Sequence, residues 1–460
     1  MGADGGAPPQ VSRGLQLRLA AFWFGIYFLF GSLLSVVLPF LLVPEHPGPG
    51  NPRLVPEDAK NTALTILETL GLLVALVVQP AAGAISDRLW GRFGRRRPLM
   101  VIGVAVAAVA LLIMGAAQAF WLLILAYCLM QVAMNTAQGA YQGLLPDTIP
   151  SSDRSHASGL LGVAILSGQV TGTVVAGIFS PRAAMVPITA MVVITAAITI
   201  LGVHERPIPR PARRVTGTGP ATSAGRRSPD QPRGLRPYFA ELRAYPDFCI
   251  VVFSRFLIFT GLACILRFAA NYLRDGFHEY RLFGLVTLNS AQAATSALFA
   301  LVIFLGLLAT YPAVQLSKRI GRRPVLVAAA LMGAVGTFAF TFANSLTVIL
   351  IDGIPIGIGF GMLVSVDWAY MADLAPRNRA GKFLGFSNIA SVASQSVVPF
   401  AFGPIIDKVD AGGGVTGYRI MFVSATVFYI AGAAVLQRVR LERHPDADAP
   451  IAVEPLLSPA

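Results

Sequence analysis

Four ionisable side chains, Glu68, Arg255, Arg267 and Asp367, stand in stretches of sequence otherwise almost free of charge. In hydrocarbon each costs about 2.5 to 3.5 kcal/mol at the middle of a helix, so each is a functional candidate by position alone. A partly buried carboxylate has the chemistry to bind and release a proton, which makes Glu68 and Asp367 the candidate proton-coupling residues. Their depths suggest two ion pairs, Glu68 with Arg267 and Asp367 with Arg255. Asp352 and Asp373 fall nearer the ends of their stretches and are expected to face water.

Amides form a second group. Gln131, Asn135, Gln138 and Gln142 recur at helical spacing and so project from one face. Facing lipid they would be unsatisfied, so this face is expected to look inward. Asn388, Ser391 and Gln395 repeat the theme, as do Asn289, Gln292 and Ser296, and Tyr27, Tyr141, Trp368 and Tyr370 are available as aromatic partners. A single buried amide often serves only a helix-to-helix hydrogen bond worth about 0.6 kcal/mol, but four in register favour a polar cavity. Amides both donate and accept, and rings stack on apolar sugar faces, so the set suits a neutral polyhydroxyl solute or a mixed drug-like molecule.

The elements that position these groups are apolar segments long enough to cross a bilayer. The chain has 460 residues, 55% hydrophobic and 13% charged, with a mean hydropathy of +0.66, a composition that asks for lipid as solvent. Twelve windows of spanning length lie near 20–43, 62–85, 98–117, 121–145, 157–179, 184–203, 248–272, 286–316, 325–343, 346–371, 383–405 and 419–437. The expected fold class is therefore an all-α membrane protein with twelve transmembrane helices. The first window runs on into Pro44, Glu45 and His46 and reads as a retained span. Most Lys and Arg fall in the loops on the side of both termini, which the positive-inside rule places in the cytoplasm. The net charge of +13 thus reflects topology, and nucleic acid is not an expected partner. Cys128, Cys249 and Cys264 all lie in spans and read as core filler, and the five histidines lie in loops or at span edges. Neither a Walker-type phosphate loop nor a nucleophile, base or metal constellation is visible, so an enzyme and a resident cofactor or metal are not expected.

Residues 204–245 break the apolar pattern with many Arg and Pro around a Gly/Ser/Thr-rich centre, and read as a mostly disordered cytoplasmic linker. The domains expected are an N-terminal six-helix half at 1–203, this linker, a C-terminal half at 246–440 and a disordered tail at 441–460. The halves echo one another: Gly31 matches Gly261, Gly94-Arg95-Arg96 matches Gly321-Arg322-Arg323, and Ala140-Tyr141 matches Ala369-Tyr370. Duplicated six-span halves are an architecture of secondary transporters that hold solute near the midplane. A scaffold or sensor remains the alternative from another class. In the fifth span, Gly159, Gly162, Gly168, Gly172 and Gly177 read as close helix packing.

The segment from Val78 to Asp87-Arg88, followed by Leu89 and the run to Gly94-Arg95-Arg96-Arg97-Pro98, resembles the loop between spans 2 and 3 of major facilitator proteins. Its long form is similar to that of the sucrose transporters and the glycoside-pentoside-hexuronide symporters. Asn135 to Gly139, with Leu144-Leu145-Pro146-Asp147, resembles the fourth span of the same families. The resemblance implies the major facilitator fold with two six-helix pseudo-repeats. It also implies a cytoplasmic gate in which Gly83, Asp87, Arg88, Gly94, Arg95, Arg96, Arg97 and Asp147 hold the inner side closed in one state. The second copy departs from the pattern, with Ser317-Lys318 where Asp-Arg would stand, and the sugar carriers' span-4 Arg is Gln142 here. The function expected is secondary active transport, as proton-coupled symport of a sugar or similar polar solute, by a monomer in the plasma membrane. A proton-driven exporter on the same fold is the alternative, and sodium can replace the proton as coupling ion.

Overall fold

Twelve long helices make up most of the described residues of this computed structural model, which are 12–89, 93–144, 148–149, 154–203, 245–374 and 380–440. They are α1 (Arg13–Leu42), α2 (Lys60–Arg88), α3 (Arg97–Ala116), α4 (Phe120–Gln142), α5 (Arg154–Ile178), α6 (Met185–Gly202), α7 (Pro246–Gly276), α8 (Ala291–Ile320), α9 (Arg322–Phe340), α10 (Leu346–Leu374), α11 (Ala380–Val409) and α12 (Thr416–Leu436). Eleven are long and apolar enough to cross a membrane by a strict hydropathy criterion. The other, α11, is 30 residues long and fills the remaining place in the second half. The linker at 204–244 and the tail at 441–460 lie outside the described residues.

α1 is not regular throughout. A π turn occupies Leu33–Val37, because Pro39 has no N–H to give the carbonyl four residues back and its ring crowds that carbonyl. The side chain of Ser32 bonds back to the carbonyls of Phe28 and Leu29 at 2.6 and 3.0 Å, loosening the same stretch.

One boundary differs from expectation. The eighth window began at 286, but β1 (Tyr280–Leu282) and β2 (Val286–Leu288) pair as an antiparallel hairpin, and α8 starts at Ala291 behind Ser290, whose Oγ accepts from Ala293 N–H. The turn that closes the hairpin has φ of 50° at Phe283 and 70° at Gly284. The alternation Val286-Thr287-Leu288 is as compatible with a strand as with a span's first turn, and only pairing decides.

The two halves repeat one packing scheme. In the first, α1 packs on α5 and α6, α4 on α2 and α3, and α3 on α6; in the second, α7 packs on α11 and α12, α10 on α8 and α9, and α9 on α12. The glycines of α5 make its contact possible: a Cβ at Gly168 or Gly172 would lie 2.3 or 2.4 Å from a backbone carbonyl of α1. Gly177 serves the other side, against Ser296 of α8, while Gly162 faces open space. The halves meet through α2 against α11 and α5 against α8.

Candidate functional site

Glu68 lies eight residues into α2 and Arg267 nine residues before the end of α7. At 1.5 Å per residue both sit about 12 to 14 Å from the end of the bundle away from the termini, close to the midplane of a 30 Å hydrocarbon layer. The structure brings them together: Arg267 Nη1 donates to Glu68 Oε1 at 2.8 Å, and Nη2 donates to Gln395 Oε1 on α11 at 3.0 Å. This ion pair crosses from one half to the other. Glu68 Oε2, Thr69 Oγ1 and Arg267 Nε are buried without hydrogen-bond partners among the described residues. A buried acceptor without a donor is costly, so this site favours whatever supplies one, a proton or a solute hydroxyl.

The second pair lies inside the C-terminal half. Arg255 Nη1 sits 2.9 Å from Asp367 Oδ2, donates to Ser387 Oγ at 2.9 Å, and through Nε to Ser391 Oγ at 2.7 Å. The guanidinium lies over the rings of Phe259 and Trp368, 5.2 and 5.0 Å from their centroids, an arrangement that adds cation–π attraction. Trp368 is itself half-exposed, whereas Tyr370 is fully buried in the core of this half.

The amide face of α4 divides along its length. Gln131 and Asn135 are buried, Gln138 is half-buried, and Gln142, the last residue of the helix, is exposed. Gln131 donates to Tyr127 Oη at 2.8 Å, and Asn135 donates to the Gln131 carbonyl at 2.8 Å and its Oε1 at 3.2 Å. The face abuts α2 one turn beyond Glu68, since a Cβ at Gly71 would lie 2.5 Å from Gln131 Nε2 and from Tyr127 Oη. Tyr27 is half-buried in an aromatic group with Trp23, whose ring also meets Tyr141. Trp23 carried no signal of its own among so many apolar neighbours. Gln395 is exposed and serves Arg267, and the side chain of Asn388 lies outside the described residues.

Two of the expected path residues lie at the start of α8. Gln292 sits in the first turn of α8, where its Nε2 donates to the carbonyls of Ala176 and of Phe179, the latter at 2.9 Å, tying α8 to the end of α5. Asn289 precedes α8 altogether.

Sequence reasoning missed a polar network at the same end. Lys60 Nζ lies 2.6 Å from Asp275 Oδ2, Tyr418 Oη donates to Asp275 at 2.8 Å, Asn271 Nδ2 donates to Asn61 Oδ1 at 2.7 Å, and Asp407 accepts from Asn61 and Thr62. Arg274 adds bonds to the Val43 carbonyl at 2.8 Å and Glu57 at 3.0 Å. These bonds, with those of Thr65, Arg267 and Gln292, join the halves from the midplane outward to this end. The available signal was a set of polar residues just inside the predicted window edges, which a search for long apolar runs passes over.

At the end that carries the termini, Arg96 is buried with Nη1 against Ser86 Oγ at 2.5 Å and Nη2 against Asp87 Oδ1 at 2.7 Å. Its guanidinium fills the space beside Gly143. Arg97 donates to the Val203 carbonyl at the end of α6. Gly94 has φ of 83°, and its counterpart Gly321 has 89°, a conformation that glycine takes without strain. Gly83 faces Gly139 of α4 at van der Waals distance. Arg95 is half-buried; Asp147 and the side chain of Arg88 lie outside the described residues. Asp373, expected to face water, pairs with Arg322 at 2.8 Å.

The profile described as the Major Facilitator Superfamily matches residues 20–399 and again 251–459. The sucrose transport protein SUC4 of Arabidopsis thaliana is 27% identical over 36% of this chain and 34% of its own. The general alpha-glucoside permease of Schizosaccharomyces pombe is 29% identical over 31% of this chain and 28% of its own. The chain thus spans about a third of the length of these two relatives. A longer alignment, 95% of both chains at 21% identity, joins it to the sucrose transport protein SUT3 of Oryza sativa subsp. japonica. Among solved structures, the D-xylose-proton symporter superposes with a TM-score of 0.65 at 14% identity, over 94% of this chain and 99% of that one. The bacterial homolog of the human lysosomal transporter Spinster, inward-facing and unoccupied, gives 0.64 at 15% identity, over 92% and 95%. At such identities the structural likeness bears on fold alone.

Proposed function

Since the chain belongs to the major facilitator superfamily and is a multi-pass membrane transporter, we propose that it carries a sugar or similar small polar solute by proton-coupled symport. The two halves rock about the midplane, opening to each side in turn. The observation that carries this reading is the Glu68–Arg267 ion pair, because it is buried, lies at mid-depth and has one partner in each half. Protonating Glu68 removes the attraction across the interface, so proton binding and the rocking equilibrium become linked. The amides and aromatic rings near the pair suit a neutral hydroxylated solute. The names of the sucrose, alpha-glucoside and D-xylose carriers point the same way.

With the termini in the cytoplasm, as the charge distribution favours, the end where side-chain bonds join the halves is the outer one, which fits a reading of the protein as a monomer in the plasma membrane, facing inward. Asp87 and Arg96 to Arg97 then stand at the cytoplasmic gate, already paired within their own half.

The test is uptake of radiolabelled sucrose and maltose into sealed proteoliposomes under an imposed pH gradient. Accumulation that needs the gradient supports the reading. No sugar flux, with proton-linked movement of a cationic dye instead, replaces it with export; flux driven by a sodium gradient alone replaces the coupling ion.

A further inference from the structure

The first turn of α2 has no cap of its own. Its N-cap position is Ala59, whose side chain cannot accept a hydrogen bond. Helix N-termini leave backbone N–H groups without internal partners, and a capping side chain ordinarily takes those of the second and third helical residues. In α2 these are Asn61 and Thr62. Both are taken by Asp407, which belongs to α11 of the other half: its Oδ1 accepts from Asn61 N at 3.2 Å and Nδ2 at 2.8 Å, and its Oδ2 from Thr62 N and Oγ1, both at 2.7 Å. One turn earlier on α11, Gly403 allows the approach, since a Cβ there would lie 2.3 Å from Thr65 Oγ1 and 2.9 Å from the Asn61 carbonyl oxygen.

The geometry points to Asp407 as a helix cap supplied in trans, a latch that holds the far ends of the two halves together and that must let go when that end opens. A cap within one half travels with its helix and is neutral to rocking. This one is made only while α2 and α11 are in contact, so its whole contribution falls on the closed state. The carboxylate also faces the positive end of the α2 dipole, which favours an anion. Asp410, three residues on, supplies the contrast: it accepts from Gly417 N at 2.9 and 3.0 Å, inside its own half.

The inference rests on the rocking of the halves, and the experiment separates the two ideas. Asp58 and Ala411 are exposed on either side of the contact. Nitroxide labels at Asp58→Cys and Ala411→Cys, with Cys128, Cys249 and Cys264 replaced by alanine, report the separation of the far ends by pulsed electron resonance in nanodiscs. Asp407→Ala is expected to raise the ratio of long to short distances about tenfold, and Thr62→Val or Asp407→Asn about threefold. Asp410→Ala is expected to leave the ratio within about twofold, as an internal cap should. Asp275→Asn, which removes the Lys60 ion pair across the same end, reports on rocking through a contact that Asp407 does not itself make. If it moves the distances and neither Asp407→Asn nor Thr62→Val does, the latch is refuted and rocking stands. A single distance population in every variant overturns both. Should Asp407→Ala fail to fold, the two milder variants decide the matter.

Discussion

Glu68→Gln separates coupling from transport. The substitution keeps volume and a carbonyl acceptor for Arg267 Nη1, now 2.8 Å from Glu68 Oε1, and removes only the charge. The charge centres lie about 4 Å apart, where two unit charges attract by about 4 kcal/mol at an effective dielectric of about 20. The retained hydrogen bond is worth about 1 kcal/mol, which leaves about 3 kcal/mol lost from the state in which the pair is joined, roughly 150-fold in its population relative to the separated state. The energetic link between proton and solute disappears with the titrating group. With one proton per solute, two units of pH gradient can sustain accumulation of about 100-fold, because each unit supplies about 1.4 kcal/mol. In proteoliposomes Glu68→Gln should therefore fall to an accumulation ratio of about one, while counterflow of labelled against unlabelled solute, which moves no net proton, continues. Gradient-driven accumulation at the wild-type level in Glu68→Gln would refute the reasoning, since another group would then carry the proton. Loss of counterflow together with accumulation, in a variant that still folds, would assign the pair to solute binding instead.

Asp367→Asn should behave differently, because its partner Arg255 lies in the same half: a thermal-unfolding assay in detergent should show a loss of about 3 kcal/mol from an uncompensated buried guanidinium, with the accumulation ratio kept. Gly139→Ala places a Cβ 2.4 Å from the Gln79 backbone oxygen, so α2 and α4 must separate, at about 1 to 3 kcal/mol in the same assay. Arg182, in the turn before α6, donates to the Gly115 and Ala117 carbonyls at 2.9 and 2.7 Å and to Asn51 Oδ1 at 3.0 Å. Arg182→Met should cost about 2 kcal/mol of stability, because those carbonyls at the end of α3 lose a charged donor. Burial lowers the pKa of this guanidinium from its ordinary value.

How far these features were legible in the sequence depended on whether they were local. Spans follow from apolar length, and the turn glycines Gly94 and Gly321 from their repeated Gly-Arg-Arg context. Glu68 and Arg267 stood out because charge inside a span is rare, and their depths in the sequence match roughly. The latch was not legible, because Asn61, Thr62, Asp275, Asp407 and Tyr418 sit at span edges, where polar residues need no explanation. Their meaning lies in pairings between residues far apart in the chain, such as Thr62 with Asp407, 345 positions on. The bracing role of Gln292 was hidden for a related reason: an amide near a helix start looks the same in sequence whether it lines a path or braces a neighbouring helix. The π turn was missed because a 3.6-residue period is blind to a single widened turn, although Pro39 marks its place.

The departure in the second repeat illustrates how duplicated halves diverge. Ser317-Lys318 stands where the first half has Asp87-Arg88, so α8 offers no carboxylate to the turn that follows it. The structure restores one from a different helix: Asp373, near the end of α10, pairs with Arg322 at 2.8 Å, whereas Asp87 at the end of α2 pairs with Arg96. Other parts are preserved, for Arg97 donates to the Val203 carbonyl at the end of α6 and Arg323 to the Val439 carbonyl just past α12. What both halves keep is an arginine held by a carboxylate beside a left-handed glycine; which helix brings the acid is free to change, because the turn is surrounded by several helix ends. The consequence for function is an asymmetric near end. In the first half the acid rides on α2, which packs against α11 of the other half, whereas Asp373 rides on α10, whose partners are α8 and α9. Rocking leaves both pairs intact, because each joins residues of one half; what differs is that the first stands on a helix that meets the other half. Asp87→Asn and Asp373→Asn should therefore each lower the stability of their own half, by leaving Arg96 and Arg322 without their carboxylates, and should leave the balance between the two facing states unchanged. A shift of the far-end distances in Asp87→Asn and none in Asp373→Asn would refute this, and would mean that the acid on α2 bears on the interface as well as on Arg96.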